Sequence, residues 1–385
     1  MKQKSVPEDF VVDEIASIEP NGGSFALYRL TKRGLGTPEV VQAVARRWQI
    51  DPRKIAFGGL KDRHAVTSQY LTVERGPRRD LAQEHFKLAY LGQIDRPFRA
   101  EDIQKNQFAI TLRDLEPEAA QAAEAAVEVV RSEGAANYFD HQRFGSVGES
   151  GEFIAQTWCR GDHERGLWLL LADPNPHDRP KERADRDFFR EHWGQWSKCR
   201  GAAQTSPWKE VATHLVAFQK DYRRATERLR PDLLSLYAAA FQSYLWNGLL
   251  AAYLRRECRP EQLVDATIGR WTLPLYRSLS AEQGEKLRQT MLPLPAARQP
   301  IEDETVSQLL DQVLQPLDLE RSQLKFKYPR RTFFSKGDRP AVVPVSFAGH
   351  ETSPDELHPG RLKFRVAFQL PRGAYATIVI KRLMA

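Results

Sequence analysis

The chain has 385 residues, of which 41% are hydrophobic, so it is longer than one typical domain and can form buried cores. Its net charge of +7 favours a polyanionic partner, whereas its mean hydropathy of −0.54 and lack of a long apolar run argue against a membrane protein or an N-terminal signal segment. The three cysteines are widely spaced without metal-ligand pairing, so we expect a reducing, cytoplasmic compartment and no bound metal.

The first third of the chain mixes strands and helices. Residues 25–30 predict a strand, and the alternation of apolar and polar residues over 108–112 predicts another. A helix is predicted over 37–48, with Thr37 as its cap and Pro38 at its first position. A second helix is predicted over 117–133, with Gly134 ending it.

The remaining elements are predicted from prolines and apolar spacing. Three prolines between 174 and 180 favour an exposed connection within residues 151–180. Apolar residues at every fourth position predict a long helix over 229–257, and a shorter helix is predicted over 303–314. Two closing strands, 364–370 and 374–380, are predicted because both segments are rich in β-branched and aromatic residues.

One acidic residue, Asp62, lies between Lys61 and Arg63, directly after the paired glycines Gly58 and Gly59. A carboxylate in a positive field stays ionised and can act as a nucleophile or base if a pocket encloses it. The alternative from local composition is a solvated turn with a charged tip.

Two further stretches combine aromatic and polar groups. Residues 137–145 read Asn-Tyr-Phe-Asp-His-Gln-Arg-Phe-Gly, and residues 325–336 interleave cations with aromatic side chains. Phosphates and unstacked bases would bind such an interleaved surface. The equally weighted alternative for 325–336 is an amphipathic strand whose aromatic side chains lie in the core.

The stretch around Asp62 and the stretch 137–145 together resemble the TruD family of tRNA pseudouridine synthases. The first carries the family's glycine-x-lysine-aspartate and alanine-x-threonine-x-glutamine residues at Gly59, Lys61, Asp62, Ala65, Thr67 and Gln69. The second carries its uracil-pocket residues at Asn137, Tyr138, Phe139, Gln142, Arg143, Phe144 and Gly145. Three more segments, 4–12, 239–247 and 370–377, are similar to family motifs in the same order, so the resemblance covers nearly the whole chain.

The resemblance implies an α+β fold: a pseudouridine synthase core with a mixed, largely antiparallel sheet, plus an inserted α/β domain. We expect the core to be discontinuous, from residues 1–153 and 328–385, with the insert at 154–327. This chain departs from the family pattern at three positions. Asp140 replaces a frequent glycine after Phe139, Lys105 replaces a common glycine before Asn106, and Trp246 replaces a phenylalanine of the helical motif.

The resemblance also implies roles for single residues. Asp62 would be the catalytic group and Lys4 its ion-pair partner, the alternative for Lys4 being a disordered terminal cation. Phe139 would stack on a flipped uracil and Asn137 would bind the pyrimidine edge, against the alternatives of core packing and a turn. Gln142 and Arg143 would line the uracil pocket, and Lys61 and Arg63 would contact phosphates. Thr67 and Gln69 are expected to brace the loop that carries Asp62.

The implied activity is conversion of a uridine in tRNA, at position 13, into pseudouridine without metal or cofactor. The residues leave three chemical paths open: attack at C1′, attack on the uracil ring, or removal of a 2′ proton. The alternatives are the same reaction on another RNA, or a non-catalytic RNA-binding or RNA-folding protein on this fold. The expected partner is tRNA, with no membrane or metal, and no oligomeric state is favoured.

Overall fold

The computed structural model describes residues 1–385 and contains two compact units, one made of residues 1–135 and 342–385 and the other of residues 136–341. The first unit is therefore discontinuous in sequence and is interrupted by the second. We predicted an insert at 154–327, and the extent of the catalytic domain within these units stays a prediction.

The elements are numbered in chain order. The strands are β1 (Lys2–Gln3), β2 (Phe10–Ala16), β3 (Phe25–Arg33), β4 (Ile55–Phe57), β5 (Val66–Glu74), β6 (Leu81–Gln83), β7 (Phe86–Ile94), β8 (Ile103–Leu115), β9 (Ala135–Ala136), β10 (Leu263–Ile268), β11 (Trp271–Tyr276), β12 (Met291–Pro293), β13 (Asp338–Pro340), β14 (Val342–Val343), β15 (Ser346–Pro354) and β16 (Leu362–Pro371).

The helices are α1 (Thr37–Trp48), α2 (Pro117–Glu133), α3 (Ile154–Arg160), α4 (His163–Leu171), α5 (Pro180–Glu191), α6 (Trp196–Ala202), α7 (Trp208–Ala217), α8 (Tyr222–Glu227), α9 (Pro231–Glu257), α10 (Ala281–Gln289), α11 (Glu304–Leu314) and α12 (Ala376–Leu383). No helix is both long enough and apolar enough to cross a membrane.

The first unit is built on a ten-stranded sheet in the order β15-β16-β8-β2-β5-β3-β7-β6, with β1 added to β8 and β4 added to β5. All of its pairings are antiparallel except that of β2 with β5, which is parallel with Val11 opposite Val66. The sheet is therefore mixed and largely antiparallel, as predicted. Its one parallel pair matters because parallel strands begin at the same edge of a sheet.

Two apolar clusters hold the first unit together. In one, α2 and α12 cover β2, β8 and β16, and in the other α1 covers β3, β5 and β7. Helices α1 and α2 have the predicted bounds, but the cap of α1 is Gly36 and Thr37 is its first helical residue. The Thr37 hydroxyl is therefore available for a different contact, described below.

The second unit is mainly helical and is centred on α9. Its strands form two small antiparallel pairs, β10 with β11 and β12 with β13. The predicted long helix is confirmed as the 27 residues of α9, in which Tyr237, Phe241, Leu245 and Leu249 are buried. Asp303, the first residue of the predicted 303–314 helix, is the cap of α11.

Two sequence-based expectations are wrong. The segment 374–380 was expected to be a strand, but residues 376–383 form helix α12, in which Ala376, Val379, Ile380 and Leu383 are buried at helical spacing against α2. Packing on a partner helix overrides the strand preference of β-branched residues. The connection expected within 151–180 contains α3, which buries Ile154 and Trp158, and α4, whose leucines form part of the core.

Candidate active site

The parallel pairing of β2 and β5 brings the segments before both strands to one edge of the sheet. Lys4 precedes β2, and Asp62 lies in the segment 58–65 between β4 and β5, which we call the Asp62 loop. Lys4 Nζ donates a hydrogen bond to Asp62 Oδ2 in an ion pair. The structure therefore joins two residues that are separated by 58 positions in the sequence.

Lys4 is anchored rather than disordered. Strand β1, directly before it, pairs with β8, and the Lys4 ammonium lies 4.2 Å from the centre of the Phe10 ring. The backbone of Lys4 adopts a left-handed conformation, with φ of 57°, which costs a non-glycine residue free energy. The contacts of its side chain offset that cost, which favours the ion-pair role over the alternative of a free terminal cation.

The Asp62 carboxylate is half-buried, with 19% of its side chain exposed. Burial alone raises its pKa, but the hydrogen bond and charge of Lys4 and the backbone N–H of His64 outweigh burial and hold the pKa below its ordinary value. The His64 N–H donates to Asp62 Oδ1 at 3.0 Å. Both carboxylate oxygens are thus occupied by donors, so Asp62 is ionised and fixed in orientation at neutral pH.

The two cations beside Asp62 in the sequence have other partners. Lys61 Nζ lies 2.9 Å from Oε2 of the buried Glu14 and donates to Asn106 Oδ1 at 2.7 Å. Arg63 lies on the surface, 3.1 Å from Glu39. The contacts of Lys61 favour an internal structural role, and the predicted phosphate contacts of Lys61 and Arg63 stay predictions.

A buried lysine that the sequence analysis missed supports the backbone of the Asp62 loop. Lys32 is 1% exposed, and its ammonium donates to the carbonyl oxygens of Leu35 and Asp62 at 2.6 and 2.7 Å. Burial lowers the pKa of Lys32 to about 8, although the nearby charge of Asp62 opposes that shift. The alternation along β3 offered a signal for this role. Lys32 lies on the same face of the strand as the buried Leu30 and Tyr28, where a charged residue is unusual.

The Asp62 loop is also braced from β5 and α1. Gln69 donates from Nε2 to the Gly59 carbonyl at 3.1 Å, which is the bracing contact expected of it. The Thr37 hydroxyl donates to Gln69 Oε1 at 2.9 Å and accepts from the Lys61 N–H at 3.0 Å. Thr67 is buried, but its hydroxyl has no hydrogen-bond partner, so the structure gives it no bracing contact to the loop.

The second unit positions Phe139. Asn247 of α9 pairs with the Phe139 backbone in both directions: its Oδ1 accepts from the Phe139 N–H at 2.9 Å, and its Nδ2 donates to the Phe139 carbonyl at 2.8 Å. The Trp246 ring lies edge-on, 5.7 Å from the Phe139 ring. These contacts explain why the helical motif over 239–247 accompanies the aromatic motif over 137–145. From the sequence, Asn247 was recognised only as part of the 239–247 motif, without a predicted role.

Two guanidinium groups lie over the Phe139 ring. Arg339 is 4.1 Å and Arg143 5.2 Å from its centre, and Phe139 is 7% exposed. Arg339 was missed by the sequence analysis because nothing in the local pattern of β13 distinguishes it. A base can stack on Phe139 only where one of these guanidinium groups gives way or becomes the second layer of the stack.

The side chain of Asn137 is fully engaged within the second unit. Its Nδ2 donates to the Pro340 carbonyl at 2.9 Å, and its Oδ1 accepts from Arg339. Arg339 Nη2 also donates to the Asn137 carbonyl at 3.0 Å. Asn137 therefore orients Arg339 and the Phe139 segment, and binding of a pyrimidine edge by Asn137 stays a prediction that requires these bonds to exchange.

The remaining predicted site residues lie directly after Phe139. Gln142 is exposed, and Arg143 is half-buried beside the Phe139 ring. Asp140, in place of the usual glycine, is fully buried, and its Oδ2 lies 3.2 Å from Nδ1 of His141. No group of three or more His, Cys, Asp or Glu side chains is arranged to hold a metal ion.

Comparison with known proteins agrees over the full length of the chain. The sequence model of the family tRNA pseudouridine synthase D (TruD) matches residues 1–383. A protein of Methanococcus maripaludis named probable tRNA pseudouridine synthase D 1 is 27% identical over 100% of this chain and 99% of that protein. One of Methanocaldococcus jannaschii, named probable tRNA pseudouridine synthase D 2, is 29% identical over 99% of this chain and 91% of that protein.

A solved structure has the same fold. The crystal structure of the putative tRNA pseudouridine synthase D (TruD) from Methanosarcina mazei matches with a TM-score of 0.72 at 23% identity, covering 99% of this chain and 93% of that chain. This likeness, together with the mixed sheet and the helical second unit, confirms the predicted α+β fold class.

Proposed function

The chain belongs to the TruD family of tRNA pseudouridine synthases, isomerases that make pseudouridine in tRNA, and on that premise we propose that Asp62 is its catalytic carboxylate. The single observation that supports this role most strongly is the ion pair with Lys4. The Asp62 carboxylate is half-buried and ionised, is held at both oxygens, and lies where two parallel strands begin. These are the properties required of a nucleophile or base.

The reaction needs little besides this carboxylate. The bond between C1′ and N1 of uridine breaks, the base turns, and a bond forms between C1′ and C5. One proton leaves C5 and one is gained at N1, so atoms and electrons balance without any oxidant or reductant. Asp62 supplies the electron pair or accepts the proton that starts the sequence, and Lys4 keeps it ionised until that step.

We propose that Phe139 stacks on the uracil after the base has been flipped out of its helix. An enzyme that acts on an atom within a base stack has to extrude the base, and a flat side chain replaces the lost stacking. The backbone of Phe139 is clamped by Asn247, so its ring presents a fixed platform. Arg339 and Arg143 extend that platform with planar cations that also stack on bases.

The substrate we propose is the uridine at position 13 of tRNA, as the family resemblance implies. The same reaction on another RNA is the second candidate, since the site residues contact a uracil rather than the surrounding RNA. The chain's three free cysteines fit a reducing compartment, and we place the reaction in the cytoplasm.

The test is an Asp62→Asn variant acting on an unmodified tRNA transcript that carries tritium at C5 of uridine. Because C5 loses its proton in the reaction, the tritium released into water measures turnover. We expect the variant to lose at least about 10³-fold in rate while still binding tRNA, because it lacks the ionised oxygen. Equal release by both proteins would overturn the catalytic role, and release from a tRNA lacking uridine 13 would redirect the substrate.

A second variant tests the stacking role. Phe139→Ala removes the platform, and because base–aromatic stacking contributes about 1–3 kcal/mol, we expect a loss of up to about 100-fold in the rate at saturating protein. Phe139→Leu serves as the matched control for packing, since it keeps apolar volume without a flat face. If the leucine variant were as fast as wild type, Phe139 would be a packing residue only.

A further inference from the structure

A long loop of the second unit presents cations that the folded chain leaves without carboxylate partners. Residues 324–337, which we call the insert loop, contain no helix or strand and connect the turn after α11 to β13. Loops of this length without regular structure are uncommon in compact domains and are usually functional. Five cations lie on it, and all are exposed: Lys325, Lys327, Arg330, Arg331 and Lys336.

The loop is held firmly from beneath. The Phe326 ring lies 5.6 Å from that of Trp158 and 4.4 Å from that of Phe334. Gln242 of α9 donates to the Ser335 carbonyl at 2.7 Å and accepts from its N–H at 3.2 Å. The alternative of an amphipathic strand is wrong because the segment contains no strand, although Phe326 and Phe334 do pack inward as that alternative expected. The cations project outward, and their binding of phosphates stays a prediction.

Two cations of the insert loop, Lys325 and Lys327, line a positive depression together with cations from other elements. A depression of about 530 Å³ is lined by Arg160, Arg223, Lys325 and Lys327, together with Tyr328, and no Asp or Glu lines it. None of these four cations lies in an ion pair with a carboxylate, and Arg160 donates to the Leu317 carbonyl instead. Such a concentration of one sign of charge repels itself and raises the local concentration of anions.

Aromatic side chains accompany these cations at the surface. Two guanidinium groups lie over the Tyr328 ring, with Arg223 at 4.5 Å and Arg330 at 4.8 Å from its centre. Phe333 is 80% exposed, although it is flanked by the buried Thr332 and Phe334. An exposed phenylalanine within a run of unpaired cations offers a stacking surface for a base next to contacts for phosphates.

We propose that the insert loop, with Arg160 and Arg223, is a docking surface for the phosphate backbone and an unstacked base of the tRNA substrate. This inference rests on the proposed function for the identity of the RNA. The cations neutralise phosphates, and Phe333 stacks on an exposed base. The surface supplies affinity and the Asp62 site supplies the chemistry.

The experiment compares binding of an unmodified tRNA transcript over a range of salt concentrations. The test variant combines Arg223→Ala, Lys325→Ala and Lys327→Ala. Its matched control combines Lys181→Ala, Arg183→Ala and Lys198→Ala, three exposed cations of the second unit that lie outside the surface and also lack carboxylate partners. Circular dichroism of each variant checks that the fold is kept.

We expect the test variant to bind about tenfold or more weakly at 0.1 M salt, with a log Kd against log salt slope smaller by about two to three, because three phosphate contacts are lost. The Kd of the control variant is expected to lie within about threefold of the wild-type Kd, because its substitutions remove no phosphate contact. An unchanged Kd and slope in the test variant, or an equal loss in the control, would overturn the docking surface.

Phe333→Ala tests the stacking part separately. Its loss of affinity, about fivefold or more, is expected at every salt concentration with no change of slope, because stacking releases no counterions. Unchanged affinity would remove base stacking from the proposal. Asp62→Asn, assayed in parallel, loses rate rather than affinity, so a failed docking surface and a failed catalytic role give different results.

Discussion

The Asp62 loop and the insert loop both carry cations, but the fold pairs or holds those around Asp62 and leaves those of the insert loop without carboxylate partners. Around Asp62, Lys4 and Lys61 each have a carboxylate partner within the fold, and the buried Lys32 is held by backbone carbonyls. On the insert loop, five exposed cations have no carboxylate partner. Internal pairing fixes side chains for chemistry, whereas exposed charge without a carboxylate partner remains available to a polyanion.

The largest expected effect among the supporting residues comes from Lys4→Met. Without Lys4, burial is opposed mainly by the His64 N–H, so we expect the pKa of Asp62 to rise and activity to be lost as pH falls through that raised pKa. We expect the rate of the variant to be about 100-fold below that of wild type at pH 5, with the difference decreasing as the pH approaches 8. A pH–rate profile measures this.

The control for this prediction is Lys2→Met, which removes an exposed cation from the same N-terminal segment. In wild type the folded pKa of Asp62 is depressed, so the ion pair stabilises the fold above the ordinary carboxyl pKa and is lost as pH falls through the folded pKa. A Lys4→Met profile parallel to that of wild type would contradict the ion-pair role.

Asn247→Ala is expected to have the next largest effect. It leaves the buried N–H and carbonyl of Phe139 without their partner, which costs about 2–3 kcal/mol of unfolding free energy. We expect about a tenfold loss in the saturated rate as the stacking platform loosens. Urea unfolding and single-turnover assays check both parts, with Ser243→Ala on the same helix as control; a stable but fully active Asn247→Ala protein would show that the clamp is dispensable.

Lys32→Met is expected to have a smaller effect on the rate. The substitution keeps apolar length but removes the donor to the Leu35 and Asp62 carbonyls, so the Asp62 loop is less fixed while the carboxylate keeps Lys4. We expect a loss of about threefold to tenfold at saturating tRNA, by single-turnover assay. Full activity with unchanged unfolding free energy would mean that Lys32 does not position the loop.

The smallest effect is expected from the insert loop. Replacing Arg223, Lys325 and Lys327 together by alanine should change the unfolding free energy by no more than about 1 kcal/mol, because these exposed cations have no carboxylate partner and only Arg223 loses a contact, with the Tyr328 ring. Urea unfolding measures this. A loss of several kcal/mol in unfolding free energy would show that these cations stabilise the fold, and the proposed difference between the two loops would then be wrong.

The sequence predicted the features that depend on local signals. Proline near the first position and glycine at the end defined α2, and four-residue apolar spacing defined α9. It failed at 374–380, where eight residues of helix α12 depend on packing against α2 rather than on their own preference for strand. A short segment rich in β-branched residues is compatible with both a helix and a strand, so the element that it packs against decides which one forms.

The site residues also divide into those found from local motifs and those defined by tertiary contacts. Asp62 and Phe139 stand in recognisable motifs, whereas Lys4 became a candidate only through the family resemblance. Lys32 and Arg339 could not be found locally, because their roles arise from contacts with residues distant in the chain. The parallel pairing of β2 with β5 brings the N-terminal segment to the Asp62 loop, and no periodicity within either segment reveals it.

The most direct test of the contrast between the two loops is the salt dependence of binding and of chemistry, measured on wild type with an unmodified tRNA transcript. We predict that Kd weakens steeply between 0.05 and 0.2 M salt, by about tenfold or more, while the rate at saturating protein changes by less than about twofold. The Lys4–Asp62 pair is half-buried and little screened, whereas the insert-loop cations are exposed. A saturated rate that fell with salt as steeply as binding would contradict the account.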